Sequence, residues 1–177
     1  LLGDDATWEI QSVHRERASV VQALVAPPAR VLELGAGGGQ TAAALADLGY
    51  DVVANELLPE IAARAQALAE VPRSGVMTVL QGNFYEIEPG GTFDVVSYWD
   101  GFGIGRDADQ RALLHRMREW LSAGGRALIE VYTPWYWANA AERTMTVGGA
   151  WRRYEFDGRG SRMLDTWWSE SEPERFV

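Results

Sequence analysis

The 177 residues are about one domain's length, and 47% of them are apolar, which excludes a disordered or fibrous chain. With 25 carboxylates against 16 cations the formal net charge is −9, so the surface repels phosphate and we expect no nucleic-acid partner. The chain lacks cysteine, and this excludes disulfides, thiolate metal sites and a cysteine nucleophile. We expect no membrane span, no signal peptide and a cytoplasmic location.

The N-terminal segment predicts an amphipathic helix from Leu2 to Val25. Apolar residues recur there with the period of a helix, and Pro27-Pro28 follows as a helix-ending signal. We therefore assign residues 1–29 to an N-terminal helical cap. Because the chain begins at Leu1 rather than Met, we expect the N-terminus to be cut, processed or incompletely represented.

Strands and helices alternate between residues 30 and 132. Short apolar runs predict five strands, at 30–35, 51–56, 75–81, 92–99 and 126–132. Helices are predicted at 41–48, from Pro59 onward, and after Asp107, which resembles a capping box with Gln110 and whose helix ends at Gly124-Gly125. Such alternation indicates an α/β fold with a doubly wound, mostly parallel, Rossmann-like sheet and helices on both faces, over residues 30–133.

The pattern changes after Thr133. Residues 134–143 predict a short helix, and two strand-like runs, 151–156 and 161–168, flank Asp157-Gly158. Asp-Gly between such runs is a hairpin signal. Five of the eight tryptophans lie between Trp135 and Trp168, so we interpret residues 134–177 as a helix and a Trp-rich β-hairpin that act as a lid or pocket wall.

The strongest local signal is the glycine-rich run Val31-Leu-Glu-Leu-Gly-Ala-Gly-Gly-Gly39. Glycines between a strand and a helix let a ligand approach the backbone closely and expose the amides of the helix N-terminus. A dinucleotide fingerprint would need glycine at positions 35, 37 and 40, but residue 40 is Gln. A P-loop needs lysine, and the chain has none.

Two carboxylates flank this loop in the predicted sheet. Glu33 precedes Gly35 by two residues; there a carboxylate would repel a pyrophosphate but could accept hydrogen bonds from an ammonium group. Glu56 ends the second strand, where a carboxylate reaches a ribose diol in doubly wound sheets. Together they predict a nucleoside that carries an amino acid in place of phosphates.

The motif E-x-G-x-G-x-G at 33–39, followed by an acid at the end of the second strand, resembles class I S-adenosylmethionine-dependent methyltransferases of the bacterial small-molecule type. The resemblance covers about residues 30–132 and extends to the segments 81–84, 93–100 and 121–125. It implies S-adenosylmethionine as cofactor and S-adenosylhomocysteine as product. The positions that it assigns to the cofactor are Glu33, Gly35, Ala36 and Gly37 for the methionine part, Glu56 for the ribose, Leu57, Asn83 and Phe84 around the adenine, and Tyr98 as a wall of the site.

The acceptor side is less defined by the sequence. Asp100 follows the fourth strand, so it is a candidate to contact the acceptor as base or anchor, with the cap of the following turn as the alternative. His14, on the leading helix, is a second catalytic candidate. The N/D-P-P-Y/F tetrad of enzymes that methylate planar amino groups is absent, and no residue cluster has metal-ligand spacing. We expect a small-molecule acceptor with an apolar or aromatic body and an O or N nucleophile.

Family members of full length add two more strands, six and seven, to the sheet. Here only the Trp-rich segment follows the fifth strand, so we expect those strands to be missing and the chain to be truncated. Two other functions stay open: an NAD-dependent oxidoreductase, which Glu33 and Gln40 disfavour, and a non-catalytic relative that binds S-adenosylmethionine. The sequence leaves the acceptor, the methylated atom and the oligomeric state undetermined.

Overall fold

The computed structural model describes residues 8–103, 105–147 and 149–169. They fall into two compact units, one from Trp8 to Val131 and one from Tyr132 onward. The first unit contains the N-terminal helix together with the alternating strands and helices. The predicted boundaries after residues 29 and 133 stay predictions.

The first unit is built on a sheet of five parallel strands. In chain order these are β1 (Arg30–Leu34), β2 (Asp51–Glu56), β3 (Val76–Gln81), β4 (Phe93–Tyr98) and β5 (Leu121–Ile129). Their spatial order is β3-β2-β1-β4-β5. The second and third strands are added on one side of β1 and the last two on its other side, so the order of the strands switches between β1 and β4. Ligands of open α/β sheets bind at such a switch point, outside the carboxyl ends of the strands. The predicted doubly wound fold is confirmed.

Four helices accompany this sheet: α1 (Ser12–Leu24), α2 (Gln40–Asp47), α3 (Pro59–Ala69) and α4 (Asp107–Trp120). The prediction that α1 begins at Leu2 is wrong for residues 8–11, which lie outside the helix; residues 1–7 lie outside the described chain. Apolar periodicity does not locate the start. The backbone N–H of Gln11 donates to Nδ1 of His14 at 2.9 Å, and this cap begins the helix at Ser12.

The alternation of side chains along the strands divides the core into two clusters. One includes Val31, Val52 and the buried alanines of α2, with Val21 of α1. The other includes Leu32 and Met117 on the opposite face. Both faces of the central strands are buried, which is why those strands read as nearly continuous apolar runs in the sequence.

The connection around α4 differs from the prediction. The N-cap is Arg106, whose backbone N–H donates to Asp109 at 2.9 Å, while Gln110 accepts from the N–H of Gly103 at 3.1 Å. The predicted pair Asp107 and Gln110 is thus wrong by one residue.

The start of β5 also differs. This strand begins at Leu121, directly after α4, and the glycine pair 124–125 lies inside it, next to a register shift opposite Phe93 and Val95. Glycine marks a bulge here rather than a helix end, and Gly124 adopts a positive φ of +84°. The predicted strand, residues 126–132, therefore starts too late and ends too late.

The second unit contains α5 (Pro134–Ala140) and an antiparallel sheet of β6 (Thr144–Val147), β7 (Ala150–Asp157) and β8 (Arg162–Trp168) in that order. The predicted hairpin is confirmed as β7 and β8. Strand β6 was not predicted, because four residues are too few to carry a period-2 signal. Within this sheet the rings of Trp151 and Trp168 stack, with their centroids 6.4 Å apart.

Across the described ranges, the structure contains no helix that is both long and apolar enough to span a lipid bilayer.

Candidate functional site

The glycine loop joins β1 to α2 at the carboxyl edge of the sheet. Gly35, Gly37 and Gly39 all adopt the left-handed conformation, with φ of +59°, +56° and +81°. A Cβ on Gly39 would lie 2.9 Å from the Cβ and 3.2 Å from the Cα of Ala65, so packing requires glycine there. Apart from its two chain neighbours, no described residue has a heavy atom within 4 Å of a Cβ built on Gly37. The loop is thus packed against the core at Gly39 and accessible at Gly37, where a ligand can approach the loop backbone.

Glu56 brings a carboxylate to this loop from the end of β2. Its Oε2 accepts the backbone N–H of Gly37 and its Oε1 accepts that of Leu58, both at 2.9 Å. The side chain is largely buried, yet each carboxylate oxygen keeps a further lone pair for a hydroxyl donor. Leu57 follows directly and is 54% exposed, which leaves an apolar surface beside the acid. The structure therefore brings Gly37, Glu56 and Leu57 together, as their predicted role in a nucleoside site requires.

Glu33 lies beneath the loop and is buried, with 3% of its surface exposed. Burial raises the pKa of this carboxyl to about 8, while the Arg17 charge, the backbone N–H of Ala42 and the Thr41 hydroxyl act in the opposite direction. Its Oε2 atom has no hydrogen-bond partner in the described chain. A buried acceptor without a donor is costly, and a ligand cation beside it would restore the charged form.

Asn83 and Phe84 lie in the turn after β3. The side-chain oxygen of Asn83 accepts the N–H of Tyr85 at 3.0 Å, and its backbone carbonyl accepts two further amides. Asn83 thus stabilises the turn and keeps one lone pair on its amide oxygen. The Phe84 ring packs edge-to-face on Tyr98, 5.6 Å away. Contact of either residue with an adenine stays a prediction.

Asn55 also organises this edge of the sheet, although it is not among the residues predicted for the site. It is 1% exposed, and its Nδ2 donates to the carbonyls of Leu80 and Gly82, each at 2.9 Å. The backbone carbonyl of Asn55 accepts the backbone N–H of Ala36 at 2.8 Å. Asn55 therefore joins the glycine loop to the turn after β3. The signal that could have found it is an amide side chain inside an otherwise apolar strand.

Tyr98 ends β4 beside the glycine loop. Its ring lies 3.2 Å from the position of a Cβ on Gly35, and its hydroxyl lies close to Gly101. Burial raises the pKa of Tyr98 to about 12, with smaller contributions from Tyr85 and Glu56. The hydroxyl therefore keeps its proton at neutral pH. Tyr98 can shape the site and donate a hydrogen bond, but it is a poor base.

The two catalytic candidates have different surroundings. Asp100 is exposed and has a φ of +60°, a left-handed conformation that Asp and Asn tolerate better than most residues. His14 is half-buried and caps α1 through Nδ1, so the proton of its neutral ring is on Nε2. Burial, Arg17 and Arg15 lower the pKa of His14, which keeps it neutral. A catalytic role for either residue stays a prediction.

No group of three or more His, Asp or Glu side chains in the described ranges could hold a metal ion. The candidate site therefore consists of the glycine loop, the acids Glu33 and Glu56, and the apolar surface of Leu57. Together with the sheet order, these features define a Rossmann-like fold with a site for a nucleoside that bears a cationic group.

Comparisons with known proteins agree with this class. The profile of a methyltransferase domain matches residues 31–125. Over 64 residues the chain is 39% identical to a protein-L-isoaspartate O-methyltransferase of Gloeobacter violaceus, a match that covers 36% of this chain and 31% of that protein. The chain thus spans less than a third of the curated relative that it matches.

Solved structures of methyltransferases superpose on most of the chain. The CcbJ methyltransferase from Streptomyces caelestis is 25% identical, with a TM-score of 0.71, over 92% of this chain and 74% of that one. The glycopeptide N-methyltransferase MtfA, complexed with S-adenosylhomocysteine, is 26% identical with a TM-score of 0.61, over 85% and 57% of the two chains. The chain belongs to the class I S-adenosylmethionine-dependent methyltransferases, as its glycine loop predicted.

Proposed function

We propose that this protein transfers a methyl group from S-adenosylmethionine to an O or N nucleophile of a small-molecule acceptor. The observation that carries the proposal is the contact between Glu56 and the backbone N–H of Gly37, at 2.9 Å. It joins the acid that we assign to the ribose to a loop on which a ligand can approach the backbone of Gly37. The structures of MtfA complexed with S-adenosylmethionine and S-adenosylhomocysteine support the same cofactor here.

The residues present fit this cofactor. Glu56 retains lone pairs for the ribose hydroxyls, the exposed side chain of Leu57 offers a surface for the adenine, and the orphaned oxygen of Glu33 offers an acceptor for the ammonium of the methionine part. When bound, S-adenosylmethionine supplies a methyl group on an electrophilic sulfonium. The main task of the chain's own residues is then to align the nucleophile with that methyl group and to exclude water.

The acceptor side of the proposal rests on Asp100 and on aromatic side chains. An exposed carboxylate after β4 could take a proton from the nucleophile or bind an amine of the acceptor. An acceptor with an apolar or aromatic body stays a prediction from the sequence, in which the aromatic run Trp135-Tyr-Trp137 follows the fifth strand. The net charge of −9 disfavours nucleic acid as the substrate. The cytoplasmic location stays a prediction.

The cofactor site is tested by replacing Glu56 with alanine. A carboxylate that accepts ribose hydroxyls contributes charge-assisted hydrogen bonds, so we expect Glu56→Ala to weaken S-adenosylmethionine binding at least about tenfold in calorimetry. Glu60→Ala is the matched control, because Glu60 is exposed in the first turn of α3. Glu56→Gln, which keeps the shape, serves if the alanine variant unfolds. Unchanged affinity in folded Glu56 variants would remove this residue from the site.

A further inference from the structure

Arg116 of α4 contacts the turn that follows β3. Its Nε donates to the backbone carbonyl of Phe84 at 2.9 Å, and its Nη2 donates to the backbone carbonyl of Ile87. The guanidinium carbon lies 4.9 Å from the centre of the Trp120 ring, four residues further along the same helix, so the ring supports the cation. Nη2 also lies 3.6 Å from a carboxylate oxygen of the exposed Glu88. Arg116 thus joins α4 to the turn at two backbone positions.

This turn is held at its start by other contacts. The side-chain amide of Asn55 donates to the carbonyl of Gly82 at 2.9 Å, and the carbonyl of Asn83 accepts the N–H of Ile87 at 3.0 Å. Arg116 adds a link from a helix to the later part of the turn. Because a guanidinium is planar and its donors have a fixed geometry, two carbonyls bound to it at once define the orientation of the turn.

The turn borders the candidate site. The N–H of Gly82 donates to the carbonyl of Glu56, and Nε2 of Gln81 donates to the carbonyl of Leu57, both at 2.9 Å. The turn therefore begins beside the acid that we assign to the ribose and the apolar surface that we assign to the adenine. A shift of the turn would move its polar groups relative to the edge of a bound base.

Asn83 is the residue of this turn that can read such an edge. Its Oδ1 accepts the N–H of Tyr85 at 3.0 Å and keeps a second lone pair, while its Nδ2 donates to Glu86 at 3.4 Å. An amide oxygen can accept a proton from the 6-amino group of adenine. Hypoxanthine has an oxygen in place of that group and has no proton to donate there. Discrimination between the two bases therefore depends on where the turn holds Asn83.

We infer that Arg116 is a positioning residue for the cofactor: it holds the turn so that the amide oxygen of Asn83 meets the 6-amino group of the adenine. This role rests on the proposed function and adds to it the means by which the site selects its base. Arg116 acts through the turn and does not itself contact the cofactor. It is half-buried, whereas the other two arginines of α4, Arg111 and Arg118, are exposed.

The test compares S-adenosylhomocysteine with S-inosylhomocysteine, which carries hypoxanthine in place of adenine. Calorimetry of the unaltered protein is expected to give at least about tenfold tighter binding of S-adenosylhomocysteine. Arg116→Gln is too short to bind both carbonyls, so it should remove most of this preference by weakening S-adenosylhomocysteine alone. Arg116→Lys can reach one carbonyl and should restore part of the preference. Arg118→Gln, the same change at an exposed position of α4, should keep it in full.

The outcomes separate a positioning role from a purely structural one. If Arg116→Gln has a near-native circular dichroism spectrum and keeps the full preference, or weakens both ligands equally, the positioning role is overturned. If this variant does not fold, Arg116→Lys decides: a reduced preference supports the role and a full preference overturns it. If the unaltered protein binds both ligands equally, the positioning role fails while the proposed function stands. If it binds neither ligand, both fail.

Discussion

Replacement of Gly37 by valine is expected to abolish the binding of S-adenosylmethionine, with a loss of affinity of ~100-fold or more in calorimetry. The side chain would project into the space where the cofactor must approach the backbone, and where only the two chain neighbours of Gly37 have described atoms within 4 Å of the new Cβ. In addition, φ at this position is +56°, which a β-branched residue adopts only with strain.

The matched control for this variant is Gly90→Val. Gly90 also has a positive φ, +76°, and a Cβ there likewise meets no described atom within 4 Å. Gly90 precedes β4, at the opposite edge of the sheet from the glycine loop. We expect Gly90→Val to bind the cofactor normally, and both variants to keep near-native circular dichroism spectra. Normal binding by Gly37→Val would mean that the ligand does not pass over this loop.

Asp100→Asn is expected to spare cofactor affinity and to lower the rate of methyl transfer. The change keeps the shape, and Asn tolerates the left-handed backbone of this position as well as Asp does, so it removes only the charge. If Asp100 is a general base, turnover should fall about 10²- to 10⁴-fold. If it anchors the acceptor, the Michaelis constant of the acceptor should rise instead.

Turnover is followed as release of S-adenosylhomocysteine, with the acceptor that gives the highest rate for the unaltered protein. Asp107→Asn makes the same change at the start of α4 and is expected to leave both parameters unaltered. If Asp100→Asn changes neither turnover nor the Michaelis constant, Asp100 is a turn residue only. The cofactor site would not be affected by that result.

The strands near the centre of the sheet could be predicted closely from the sequence. β2 was predicted at the same residues, 51–56, that the structure gives it. The run is apolar, is buried on both faces and ends in an acid, so its signal needs no knowledge of its neighbours. The glycine loop was recognisable for a similar reason, because its three positive-φ positions require glycine at 35, 37 and 39.

Other features depend on contacts that no local pattern reports. α1 begins at Ser12 because of a cap from His14, and β5 begins early because a bulge places two glycines inside the strand. The links of Asn55 to β3 are tertiary as well. The ion pair between Arg17 of α1 and Glu130, at 2.6 Å, likewise joins residues that are distant in the sequence.

We expect the open glycine loop and Glu56 to bind S-adenosylmethionine rather than a dinucleotide. The most direct measurement is a calorimetric titration of the unaltered protein with S-adenosylhomocysteine, and a parallel titration with NAD. Saturable binding of S-adenosylhomocysteine is expected, with one site per chain, and NAD is expected to give no heat of binding. The buried Glu33 carboxyl, with its pKa raised to about 8, gains its charge beside an ammonium group and offers a pyrophosphate no positive charge. Binding of NAD, or the absence of any binding of S-adenosylhomocysteine, would contradict this expectation.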